Sequence, residues 1–152
     1  MTRPFFAATL AVLTLIVAAG CSTGANVSDA IGKLVDEGKS ETIRLVDATR
    51  FDWDQVYLFG PYTARRDVFA TLRIGEQQCE RQIPFESQDD GDMSIAFLTN
   101  GRPVHYARHS RANGDFTPVP AQQPIARDRA VFRKSREGEA QGGLARGRLV
   151  LD

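Results

Sequence analysis

The chain has 152 residues, two cysteines, and acidic and basic residues in equal number, 19 of each. This length suits one domain that buries about two-thirds of its unfolded surface, and the absence of net charge offers no electrostatic footprint for nucleic acid. Nearly all the cations are arginine, a bias that does not by itself name a partner.

Residues 1–20 read as a leader. Arg3 supplies the positive start, Phe5 to Val17 form an apolar run, and Ala18-Ala19-Gly20 lead into Cys21. Small side chains before a thiol are what lipoprotein processing requires, because the Cys21 sulfur would receive the diacylglycerol. Two other readings compete: release by an ordinary signal peptidase at the same small residues, and a retained membrane helix. The run falls short of the roughly 20 apolar residues that a span needs, which disfavours the helix. Lipidated at Cys21, the chain is expected in the cell envelope, on the membrane. Ser22 in second place directs the expectation to the outer membrane, facing the periplasm. Cys79 is then left without an intramolecular partner, and stability must come from packing.

Residues 21–26 read as the lipidated terminus and a short tether, and residues 27–152 as one domain. Val27, Ala30, Ile31, Leu34 and Val35 recur at helical spacing, with Gly38 as a stop. Glu41 to Asp47 has strand character. Phe51 to Thr63 holds the single Trp and is expected at the centre of the core. From Val56 to Phe59 both alternation phases are apolar or aromatic, as in a central strand covered on both sides. Gly60-Pro61 ends it, and Thr63 is placed to cap a helix from Ala64 to Ile74 that stops at Gly75.

Gln82 to Phe85, containing Pro84, reads as an edge strand or extended link, and Asp89-Asp90-Gly91-Asp92 as a turn. Met93 to Thr99 and Arg102 to Arg108 flank Asn100-Gly101, a strong hairpin signal because a type I′ turn needs positive φ at both positions. Ser110 to Pro124 is expected to be an irregular surface loop, pinned by Phe116. Ala130 to Lys134 and Leu144 to Leu151 are expected to pair across the Gly-rich connection at 137–143. The inventory predicts a single α+β domain, mainly antiparallel sheet with about two helices packed on one side.

Trp53-Asp54, Val56-Tyr57-Leu58-Phe59 and Pro61-Tyr62-Thr63 resemble the W-D-x-V-Y-x-F-x-P-Y-T signature of a family of small uncharacterised bacterial lipoproteins. The resemblance covers about a dozen positions besides the leader and implies a surface-tethered envelope protein. It brings no reaction, ligand or catalytic residue.

Candidate site residues are few. Trp53 and Tyr62, at the two ends of the central segment, are the candidate binding pair, with packing at the Gly-Pro corner the favoured role for both. Asp52 and Asp54 could form paired carboxylates for acid-base work in a small periplasmic hydrolase, or could serve as turn and capping residues. His105 and His109 would converge on a metal if helical, but on the expected strand they lie about 13 Å apart, so no metal is assigned and both are expected at the surface. The Asp89, Asp90, Asp92 turn lacks the full spacing of a calcium loop. No cofactor motif is present. The leading expectation is a non-enzymatic binding or envelope-homeostasis module, held to the membrane through Cys21 and acting on another envelope protein; a soluble periplasmic inhibitor is a third possibility.

Overall fold

A computed structural model of the chain describes residues 26–75, 81–120, 123–135 and 147–152. The leader, Cys21, Cys79 and the Gly-rich connection at 137–143 lie outside them. Among the described residues, seven strands form two antiparallel sheets, one of four strands in the order β4-β3-β2-β5 and one of three in the order β1-β6-β7.

Helix α1, Val27–Glu37, is the expected amphipathic helix and ends at Gly38. Its N-cap is Asn26, whose side chain accepts from Ser28 N at 3.0 Å. Asn26 therefore belongs to the domain and not to the tether. The strand expected at 41–47 is shorter: β1 is Thr42–Arg44, and Leu45–Ala48 coils into a 3-10 turn. That turn brings Leu45 and Ala48, three apart, into the core together, which a strand would place on opposite faces.

Strand β2, Gln55–Phe59, lies between β3, Asp92–Thr99, and the two-residue β5, Ile125–Ala126. It is the covered central strand that the sequence predicts. Val56 and Leu58 join one hydrophobic cluster while Tyr57 and Phe59 join another, so alternation sends β2 into two cores. The hairpin from β3 to β4, Arg102–Ser110, turns through Asn100 at φ 51 and Gly101 at φ 73, as expected for type I′. The terminal pair is β6, Val131–Ser135, and β7, Arg148–Leu151, with Leu149 opposite Lys134.

The structure is the expected α+β domain with antiparallel sheets and two α-helices among the described residues, but the helices do not share one side. β1, β6 and β7 form a separate sheet, which joins α1 against the Val56, Ile95, Phe97 face of the four-stranded sheet. Helix α2, Arg65–Leu72, places Val68 and Leu72 against the opposite face with Phe59, Ala96 and Leu98. The cause is the both-phase apolar content of β2 and β3: two apolar faces need two coverings.

Both ends of α2 also differ from expectation. Thr63 Oγ1 donates to Gly60 O at 2.8 Å and locks the Gly-Pro corner instead of capping the helix. The cap comes from a distance, as Glu86 Oε2 accepts from Arg65 N at 2.8 Å. At the other end Arg73, not Gly75, takes the left-handed position, φ 55 and ψ 40. Residues 83–88 are an extended link with Ile83 buried. The segment 110–124 is not a surface loop throughout: after a 3-10 turn at Arg111–Asn113, Gly114, Asp115 and Phe116 are buried. Asp115 there hydrogen-bonds along β7, its N–H to Gly147 O and its carbonyl from Leu149 N.

Candidate functional site

The residues singled out in the sequence separate into different places. Trp53 is only 2% exposed; its ring meets Phe97 edge-on at 5.2 Å and its Nε1–H donates to Thr49 Oγ1 at 2.9 Å. Thr49 in turn donates to Val46 O, so the indole is stitched to the turn after β1. Arg127 lies over the ring at 5.7 Å and completes its cover. Tyr62 is the reverse case, 63% exposed at a positive φ of 59 on the Gly-Pro corner. The two rings share no surface.

Asp52 and Asp54 do not converge either. The Asp52 side chain is fully exposed and lies 3.8 Å from Arg127. Asp54 Oδ2 accepts from Asn100 N at 2.7 Å, and its backbone joins Leu98 and Arg127. Asp54 thus holds the turn of the β3–β4 hairpin. In the acidic turn, Asp89 Oδ1 accepts from Gly91 N and Asp92 Oδ2 accepts from Arg108 Nη1 at 2.7 Å. Among the described residues, no group of three or more His, Cys, Asp or Glu side chains gathers to hold a metal.

The expectation of surface histidines is corrected. Both lie on β4, but His105 is half-buried, its ring 4.8 Å from Phe51, and His109 is wholly buried. Burial lowers the pKa of each. His109 Nε2 lies 2.7 Å from Gly114 O. A carbonyl only accepts, so Nε2 carries the ring proton, and Nδ1, 3.1 Å from Ser28 Oγ, accepts the serine hydroxyl proton. Ser28 Oγ in turn accepts from Ser110 N and Asn113 Nδ2, both at 3.0 Å. This network joins α1, β4 and the 111–116 segment. Beside it Asp115 accepts from Arg111 at 2.7 Å and from Thr117 Oγ1 at 2.7 Å. Burial alone would raise the Asp115 pKa, but the bonds from Arg111 and Thr117 outweigh it and hold the carboxyl below its usual value.

None of this buried set was visible in the sequence as a unit, since Ser28 and His109 are far apart in the chain. The available signals were weak: a serine on the first turn of an amphipathic helix and a histidine on the apolar phase of a strand.

A groove lies on the other face of the sheet, between the C-terminal end of α2 and strands β2 and β3. Its volume is about 660 Å³. Tyr57, Leu72, Leu98 and Pro124 supply apolar wall, with Gln123 and Arg73 at the polar margin. Arg73 is exposed and is the charged side chain among the described lining residues. It sits there because α2 ends on it in the left-handed conformation, a position where glycine would be less strained. A wall of this kind suits an apolar body carrying an acidic group. No family model, curated protein or solved structure matches this chain.

Proposed function

We propose that this chain is a lipid-anchored protein of the bacterial envelope, held through Cys21 to the outer membrane on its periplasmic side, and that it works as a non-enzymatic binding module. The observation that carries the reading is the leader ending in Ala19-Gly20-Cys21 shortly before the first helix cap at Asn26. Fully extended, that interval spans less than about 20 Å, so a lipid on Cys21 would hold the domain close to the membrane surface. The groove beside Tyr57 is the binding surface in this reading, and its occupant is another envelope protein presenting a carboxylate flanked by apolar side chains, complementary to Arg73. The hydrolase alternative has no comparable support, because the Asp52 side chain is fully exposed beside Arg127 and the Asp54 carboxylate is taken up by the backbone N–H of Asn100.

Detergent-phase partitioning of cell extracts, with mass spectrometry of the N-terminal peptide, tests the anchor. The expected result is a triacylated Cys21 in the detergent phase, and an aqueous protein for Cys21→Ala; an unmodified Cys21 on a freely soluble protein would remove the proposal.

A further inference from the structure

The buried contact between α1 and β4 has a proton count that closes for one protonation state of His109 only. With the imidazole neutral, Ser28 Oγ gives its proton to Nδ1 and takes two donors, Ser110 N–H and Asn113 Nδ2–H, which fill its two lone pairs. Nε2–H is satisfied by Gly114 O. A second ring proton on Nδ1 would turn that acceptor into a donor. Ser28 Oγ would then face three donors with two lone pairs, and its own hydroxyl proton would lose its acceptor. A charged imidazolium would also be held in a site that is wholly buried, against the Phe116 ring at 5.1 Å.

The groups around His109 offset this only in part: burial lowers its pKa, while the Gly114 carbonyl and the Asp115 carboxylate raise it by less. From α1 the nearest is Asp29, occupied with Asn113 Nδ2 at 3.4 Å. From the 111–116 segment Asp115 is engaged by Arg111 in a 2.7 Å ion pair and by Thr117. On β7, Arg148 pairs with Asp115 through the backbone. On β3, Asp92 is opposite Ser110 and is taken by Arg108, which lies next to His109 in β4 and so points to the other face. On β4, His105 sits against Phe51. Phe132 of β6 offers only its ring, through Phe116. The contact is also tight: a Cβ added at Gly32 of α1 would come within 2.8 Å of Asn113 Oδ1, so the helix has little room to shift and keep its partners.

We propose that Ser28 and His109 form a proton-sensitive latch that docks α1 on the domain and loosens it as the surroundings acidify. The latch acts by favouring an open state in which α1 has left β4 and the 111–116 segment and His109 meets water. α1 precedes β1 by only a short connection, so opening leaves the body of the domain joined to α1 through residues 38–41 alone. The inference rests on this network alone and stands whether or not Cys21 is lipidated. The direction follows from linkage: the histidine pKa is lowered when α1 is docked and ordinary when it is open, so docking is fully favoured above the ordinary value of 6.5 and weakens as pH falls below it.

The test is amide hydrogen exchange on the full chain in detergent micelles at pH 7.5 and pH 5.5, with intrinsic exchange chemistry divided out. The expected result is a loss of α1 protection at the lower pH of up to about tenfold, the most that an open state with an ordinary histidine can gain one pH unit below 6.5. α2 amides, whose opening does not free His109, should keep their protection, and α1 should be less protected than β3 at both pH values, showing that it opens separately. The variant His105→Gln should behave as wild type, and His109→Gln should lose the pH response. Should His109→Gln fail to fold, direct titration of the His109 ring by NMR gives the same decision. α1 protection unchanged between the two pH values, α1 exchanging only together with β3, an undiminished response in His109→Gln, or a His109 ring that protonates while α1 amide shifts stay in place would each overturn the latch.

Discussion

The two faces of the four-stranded sheet are covered by different means. One is sealed by a second sheet and by α1, and three rings, Phe97, Phe116 and Phe132, are at most 1% exposed there. The other is covered by the eight-residue α2 and the link at Ile83, with Tyr57, Phe69 and Tyr106 only partly buried and a groove left open beside Tyr57. Polar satisfaction follows the same division. The sealed face carries the closed Ser28–His109–Asn113 network, whereas α2 takes its cap from Glu86 in a distant link and ends on a left-handed arginine. Stability is therefore concentrated on one side of β2 and the accessible surface on the other.

The largest effect that would sharpen this contrast comes from aromatic truncation. Phe97→Ala removes a ring with edge contacts to Phe51 and Trp53 and should cost about 3–5 kcal/mol. Phe69→Ala, on the half-covered face, should cost about 1–2 kcal/mol because less area leaves the interior. Denaturant midpoints of the two variants decide the matter, and equal losses would break the comparison.

Next in size is Asp115. Asp115→Ala should cost about 2 kcal/mol, since it removes the acceptor that Arg111 and Thr117 share at a partly buried site, while Arg111 keeps its bond to Asp90 O. The carboxyl is held below its ordinary value of 3.8, so its contribution is complete above that value and is lost as pH falls through the lowered one. Asp115→Asn should therefore flatten the acid limb of a stability curve measured below about pH 4.

The smallest effects separate the two aromatics of the central stretch. Trp53→Phe keeps the ring in the core but removes the donor to Thr49, and should cost about 1 kcal/mol. Tyr62→Gly should raise stability by up to about 1 kcal/mol, because the exposed ring gives little and the positive φ is relieved. Thermal melts of the pair should move in opposite directions.

The α+β class, α1, the central strand, the Asn100-Gly101 hairpin and the terminal strand pair were legible because each depends on local chemistry: helical spacing, both-phase apolar content, or a turn that needs positive φ. The division into two sheets was not, because nothing local tells Ile43 that it pairs with Phe132 and not with a neighbour of β2. The same holds for the α2 cap, where Thr63 satisfies the short-range rule yet Glu86 does the work from the link after α2. For the candidate residues, Trp53 and Tyr62 were indistinguishable by position, and only tertiary packing sends one inward and leaves the other in solvent. His109 sits in alternation phase with the buried Ala107, but a histidine there has no readable partner until the fold brings Ser28 to it.

The asymmetry between the two faces is tested most directly by native-state hydrogen exchange of the two helices at pH 7.5. Ile31 to Leu34 of α1 should be at least about tenfold more protected than Val68 to Leu72 of α2, because α1 leaves a sealed core and a closed polar network while α2 leaves an open groove. Protection of α2 equal to or greater than that of α1 would contradict it.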